Sequence, residues 1–172
     1  GTALSDTEAQ KSKNSMKLLS EIDYESTKLE GIQKLIQEGA DVNYKDEYGD
    51  SALIKSAEVV DEKTFNEFKK DGIFTIIPDY NSYIQKRLDI IDLLLKNGAD
   101  INTQNAYGQN LLSIAIQCNQ PTVLEHLLKK GIDVNAVNKA GVTALMKAAS
   151  SAEDTKMIKL LLQYGADKTL KD

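Results

Sequence analysis

Apolar residues fall along this chain in short helical blocks, and each block runs into a glycine. Leu93-Leu94-Leu95-Lys96-Asn97 leads to Gly98, and Leu127-Leu128-Lys129-Lys130 leads to Gly131. A glycine in that place ends a helix in the left-handed region at no steric cost. Four segments share the ending: Gly39-Ala40-Asp41-Val42-Asn43, Gly98-Ala99-Asp100-Ile101-Asn102, Gly131-Ile132-Asp133-Val134-Asn135 and Gly165-Ala166-Asp167-Lys168-Thr169. Their glycines are 59, 33 and 34 residues apart. A second ladder, Gly49, Gly108 and Gly141, runs in phase with spacings of 59 and 33. Asp46-Glu47-Tyr48-Gly49, Asn105-Ala106-Tyr107-Gly108 and Asn138-Lys139-Ala140-Gly141 read as hairpin tips that need a positive φ. A helix start follows each tip, with Ser51 and Thr143 as N-cap candidates. The pattern predicts a repeating unit of hairpin, short helix, turn and longer helix.

On these segments the chain resembles the ankyrin-repeat family. The resemblance is carried by Asp46-Glu47-Tyr48-Gly49-Asp50-Ser51-Ala52-Leu53, by Gly141-Val142-Thr143-Ala144-Leu145-Met146-Lys147-Ala148-Ala149 and by the Gly-Ala-Asp-Val-Asn endings. It covers about residues 16–172, apart from one insertion. The family repeats every 33 residues around a Thr-Pro-Leu-His-x-Ala motif. Here Ser51-Ala52, Asn110-Leu111 and Thr143-Ala144 replace Thr-Pro, and Ile54, Ser113 and Met146 replace the histidine. The resemblance implies an all-α ankyrin-repeat α-solenoid, helix-turn-helix units with β-hairpin loops, in four repeats at about 15–45, 46–104, 105–137 and 138–172. The first and last copies read as caps, and stacked repeats of this kind fold as one cooperative unit. Residues 1–14 have no apolar period and read as a flexible N-terminal segment.

The gap of 59 residues holds one period plus an insertion, placed at 59–86 between the two helices of the second repeat. All three phenylalanines lie in it, Phe65, Phe68 and Phe74, with Tyr80 and Tyr83. Glu62 to Lys70 reads as a short amphipathic helix with Phe65 and Phe68 on one face. Gly72 to Ile77 is a β-branched apolar run closed by Pro78-Asp79. These aromatics pack the insertion onto the solenoid, or some of them face a partner; long insertions in rigid scaffolds often carry function.

Composition removes several classes of chemistry. The chain has 172 residues, 21 Lys plus Arg against 26 Asp plus Glu, and a formal charge of −5. That balance excludes nucleic-acid binding driven by counterion release. No apolar run is long enough to span a bilayer, so no membrane insertion is expected. One cysteine, Cys118, and one histidine, His126, exclude a multi-cysteine zinc site and any site needing two histidines. Cys118 reads as a packing residue and His126 as a helix-surface residue. Asp41, Asp100, Asp133 and Asp167 recur because the turn recurs. No catalytic residue, metal site or cofactor site is expected, and the chain is read as no enzyme. The chain opens on Gly1 and shows no export signal. The compartment is therefore cytoplasmic or, if a signal peptide preceded Gly1, exported or periplasmic. Abundant Lys, Asn and Ile loosely suggest a low-GC bacterial source.

What the resemblance implies for function is a surface that binds another protein. Carried over residue by residue, the candidate strip is Tyr44, Glu47, Tyr48 and Asp50 in the second repeat. It continues with Thr103, Ala106, Tyr107 and Gln109 in the third, and Val137, Lys139, Ala140 and Val142 in the fourth. Glu58 and Gln117 adjoin it on the first helices. Phe65, Phe68, Phe74 and Tyr80 extend the candidate site into the insertion. Tyr48 and Tyr107 hold the same tip position in adjacent repeats and are the expected anchors. A monomer is favoured. The rival readings are an exported bacterial effector or inhibitor acting on a specific target, and a structural subunit of an oligomer.

Overall fold

Each unit marked out by the glycine ladders folds as a pair of helices. The computed structural model describes residues 6–22, 27–151 and 155–169. The pairs are α1 (Asp6–Glu21) with α2 (Leu29–Gln37), α3 (Ala52–Ala57) with α5 (Tyr80–Lys96), α6 (Leu111–Gln117) with α7 (Pro121–Lys129), and α8 (Ala144–Ala149) with α9 (Thr155–Gln163). A further helix, α4 (Glu62–Lys70), lies in the insertion. The first helices α1, α3, α6 and α8 pack successively in one row, and α2, α5, α7 and α9 in a second. Between the rows runs one apolar core that includes Leu53, Ile91, Leu94, Leu112, Leu124 and Leu161. Two layers of helix, each buried only against neighbours, make an α-solenoid.

The caps explain why the first helices start where they do. The Ser51 hydroxyl accepts from Ile54 N at 3.4 Å, Asn110 Oδ1 from Ser113 N at 2.9 Å and Thr143 Oγ1 from Met146 N at 3.2 Å. Each satisfies a backbone donor that the helix leaves unpaired. At the other end, Ala40 N donates to Leu35 O, Ala99 N to Leu94 O and Ala166 N to Leu161 O, at 2.9 to 3.0 Å, around glycines of positive φ. These are the helix-ending turns read from the sequence.

Three expectations change. The segment 1–14, read as flexible, is helical from Asp6 onward; residues 1–5 lie outside the described residues. The helix is anchored by Leu18 and Leu19 in the core and, nearer its start, by polar side chains. Asn14 Nδ2 donates to Glu38 O at 3.1 Å, and Ser15 Oγ accepts from Asp41 N at 2.8 Å. The hairpins are reduced to turns: among the described residues no strand forms, and isolated bridges join Gln104 to Asn110 and Val137 to Thr143. The end of 59–86 is helix rather than loop, because α5 starts at Tyr80 and puts Tyr83, Ile84 and Leu88 into the core. The α4 helix spans the expected residues, but Gly72–Ile77 is a turn in which buried Phe74 has a φ of 60°.

Candidate protein-binding surface

The tips are built by one carboxylate or amide each. Asp46 Oδ1 accepts from Tyr48 N and Asp50 N at 2.9 and 3.0 Å. Asn105 Oδ1 accepts from Tyr107 N and Gln109 N, both at 3.0 Å, and Asn138 Oδ1 from Ala140 N and Val142 N at 2.9 and 3.1 Å. Short side chains that bond their own backbone two residues on hold such turns closed. Consecutive tips then bond to each other. Ala106 N donates to Tyr48 O at 3.0 Å, and Lys139 N to Gly108 O at 3.2 Å. Lys45 Nζ reaches Gln104 O at 2.8 Å, and Gln104 Nε2 reaches Val137 O at 3.1 Å.

The following turns stack in the same way. Asp100 N donates to Asn43 Oδ1 and Asp167 N to Asn135 Oδ1, both at 2.8 Å. Ser15 fills that role for Asp41 at the amino-terminal end. At the remaining step Asn102 and Asp133 border a cleft of about 310 Å³ beside Ile132, which stands where the other turns have alanine.

This stacking brings the predicted strip onto one face. Tyr107 and Tyr48 project from it, 72% and 54% exposed, and Val137 is 47% exposed beside them. Glu47, Ala106, Lys139 and Ala140 are exposed, while Asp50, Gln109 and Val142 are half-buried. Gln109 ties the tip to the first helix, accepting from Asn105 Nδ2 at 2.9 Å and donating to Gln117 Oε1 at 2.7 Å. Tyr44 is half-buried against the core, and Thr103 is buried, so Thr103 leaves the strip.

Burial pushes the Asp50 carboxyl above its usual range; a hydrogen bond from Asn105 opposes this and the charge of Asp46 adds to it. Burial likewise raises the Glu58 carboxyl, with Asp50 reinforcing and Lys55 opposing. Two carboxylates with raised pKa values share this part of the face.

The insertion does not present its aromatics as a contact surface. Phe65 and Phe74 are fully buried and stack at 4.8 Å, with Tyr83 at 5.4 and 5.2 Å from them. Phe68 and Tyr80 are half-buried on the same cluster, at 6.0 Å from Phe74 and 5.5 Å from Phe65. Two hydrogen bonds pin the cluster to the solenoid: Tyr80 donates to Val60 O at 2.8 Å, and Val60 N donates to Tyr83 Oη at 3.1 Å. Lys69 Nζ closes the loop on Ile77 O at 2.7 Å. An insertion of this length is ordered by its own small core, and Phe65, Phe74 and Tyr83 are that core. The large apolar side chains it does expose, Ile73 and Ile76, are not singled out by the sequence. Only the turn at Phe74 decides which members of that apolar run face outward.

Cys118 and His126 have structural settings. Burial pushes the Cys118 thiol up, and a hydrogen bond from the Val59 backbone opposes this. His126 Nε2 lies 2.7 Å from Asp92 Oδ1 and joins α7 to α5, with Lys130 at 3.1 Å from the same oxygen. Among the described residues no cluster of His, Cys, Asp and Glu could hold a metal ion, and no helix is long and apolar enough to cross a membrane. A separate cleft of about 490 Å³ lies on the other helix row, between Leu29 of α2 and Leu93 of α5.

No curated protein sequence matches the chain. A family model described as Ankyrin repeats (3 copies) matches residues 81–172, from the first turn of α5 through the third and fourth helix pairs. Ankyrin-repeat domains are generally protein–protein interaction modules and typically non-catalytic. The stacked tips and paired helices therefore have a family to sit in, and the chain belongs to the ankyrin-repeat family.

Proposed function

We propose that the chain is a non-catalytic binding module that takes a partner protein along the concave face formed by its tips and first helices. Tyr48 and Tyr107 are its anchors. The observation that carries this reading is their exposure on adjacent tips whose backbones are bonded to each other. Large rings on a rigid support supply contact area without ordering a loop on binding. The buried aromatics of the insertion act as a structural core, and the insertion contributes to specificity through Ile73 and Ile76 at most.

The test is site-specific photocrosslinking in a lysate of the source cell, with the crosslinker placed at Gln109 on the face or at Lys34 on the opposite helix row. The expected result is one crosslinked partner from Gln109, lost in a Tyr48→Ala/Tyr107→Ala background, and none from Lys34. A partner captured from Lys34 and retained in the tyrosine double variant would refute the reading.

A further inference from the structure

The three tips present the same backbone but not the same charge. In the second unit the face carries Asp46, Glu47, Asp50 and Glu58 against Lys45 and Lys55. At the matched places of the third unit stand Asn105, Ala106, Gln109 and Gln117, with no charge. In the fourth, the charges at these places are Lys139 and Lys147. The face therefore runs from acidic through a bridge of amides to basic. The bridge is continuous, from Asn105 through Gln109 to Gln117 at 2.9 and 2.7 Å. The ends lie on the units neighbouring the third, since α6 packs against both α3 and α8.

The acidic end keeps one acceptor unmatched, although Asn105 bonds the Asp50 carboxyl and the charge of Lys55 acts on it. Asp50 Oδ1 is buried and has no hydrogen-bond partner. Lys45, the tip lysine, already spends its ammonium on Gln104 O. A buried acceptor without a donor costs free energy until one arrives. Tyr48 stands two residues from Asp50 with its ring exposed, and a ring beside carboxylates favours a lysine or arginine head.

Resting on the groove reading above, we infer that the face binds an extended partner segment with a lysine or arginine at one end and an aspartate or glutamate at the other. The basic end seats against Asp50 and Glu58, and the acidic end against Lys139 and Lys147. Glu58 caps the end of α3 and Lys147 lies in α8, with α6 packed between the two helices. Two helix spacings amount to about 20 Å. An extended chain covers that span in about six residues. A segment laid down with its ends exchanged would meet like charges at both, so the polarity fixes its direction.

The probe is a pair of short fluorescein-labelled peptides of identical composition. One has lysines and aspartates grouped at opposite ends, about six residues apart; the other has them alternating. Fluorescence anisotropy is measured with wild type, Asp50→Asn/Glu58→Gln, Lys139→Gln/Lys147→Gln and Tyr48→Ala/Tyr107→Ala, each first shown to melt cooperatively. The expected result is that wild type prefers the grouped peptide by about tenfold or more. Each end-neutralised variant loses that preference, and the tyrosine variant loses binding of both peptides. Tyrosine-dependent binding of both peptides with equal affinity would overturn the polarity and leave the groove reading standing. Binding indifferent to the tyrosines would overturn both. Absence of binding by either peptide at millimolar concentration would also overturn the polarity, since the face's own charges are held to suffice for it.

Discussion

Gly108 and Gly141 offer a matched pair for measuring what holds one tip on the next. They occupy the same place in adjacent units with φ of +77° and +78°. At Gly141 an added Cβ would meet nothing within 4 Å. Alanine there bears the left-handed backbone alone, which costs about 1–2 kcal/mol. At Gly108 the same carbon would lie 2.1 Å from Lys139 Cβ and 3.0 Å from Lys139 N. Lys139 Cβ is no flexible end, so the whole tip must retreat by about 1.3 Å to reach ordinary contact at 3.4 Å. That retreat strains the bond from Lys139 N to Gly108 O, worth about 1 kcal/mol net. Overpacking adds about 1–3 kcal/mol. The gain from a stiffer unfolded chain applies equally to both and leaves their difference untouched. Gly108→Ala is thus expected to destabilise by about 3–6 kcal/mol and Gly141→Ala by about 1–2 kcal/mol. At about 2–4 °C per kcal/mol for a chain of this size, Gly108→Ala lowers the melting temperature by about 6–24 °C. Urea unfolding followed by circular dichroism gives both values. Gly49→Ala, whose Cβ would lie 2.5 Å from Ala106 N, should group with Gly108→Ala. Equal losses at Gly108 and Gly141, within about 0.5 kcal/mol, would refute tip stacking as a source of stability.

Three further outcomes are expected. Phe65→Ala removes a fully buried ring from the insertion's core and should cost about 3–5 kcal/mol in urea unfolding; a loss below about 1 kcal/mol would mean the aromatic cluster carries no load. Cys118, with its thiol pushed up by burial, should react slowly with Ellman's reagent at neutral pH and quickly in denaturant; fast labelling of the folded chain would contradict its burial. Desolvation opposes ionisation of Asp92, yet hydrogen bonds from His126 and Lys130 hold its carboxyl below the usual range. Its ionised form therefore stabilises the fold above the unfolded-state pKa, and that contribution is lost as pH falls through the lower folded-state value. Asp92→Asn should cost under about 1 kcal/mol at neutral pH, given the exposure of the pair, and the difference from wild type should vanish in acid. A difference that persists below about pH 2 would contradict the linkage.

Most of the scaffold is legible because its signals are local and repeated. Ser51 and Thr143 cap helices because their hydroxyls reach a backbone donor three residues on, and that needs no tertiary knowledge. The α1 helix is different. Besides the buried Leu18 and Leu19, it docks through Asn14 and Ser15, whose partners are backbone groups of Glu38 and Asp41. A polar side chain satisfied at long range looks like any solvated one in the sequence, so the segment reads as flexible. The insertion fails for a related reason. Phe65 and Phe68 do share a face, as their spacing requires, but whether that face meets solvent depends on Phe74 turning back over it. The start of α5 does carry a local signal, Asp79, whose carboxylate accepts from Ser82 N at 2.7 Å, although Pro78-Asp79 reads only as the close of the apolar run. The tip residues of the expected strip do lie at the surface, whereas Thr103 is buried.

Stability and recognition meet in the same few atoms. The carbonyl that accepts Ala106 N belongs to Tyr48, and the carbonyl that accepts Lys139 N belongs to Gly108, next to Tyr107. Each anchoring ring is thus carried by a backbone already fixed to the following tip. A partner that engages the rings need not order the loops, so less of its binding free energy is lost to entropy. The same coupling sets a limit. A substitution that loosens the tip at Gly108 moves Tyr107 with it, so Gly108→Ala should weaken partner binding although Gly108 is buried and touches no partner. Gly141, where an added Cβ would meet nothing within 4 Å, lies beside Ala140 rather than a tyrosine. Its substitution should leave binding unchanged, and equal weakening by both would show that the rings are not held by the stacked backbone.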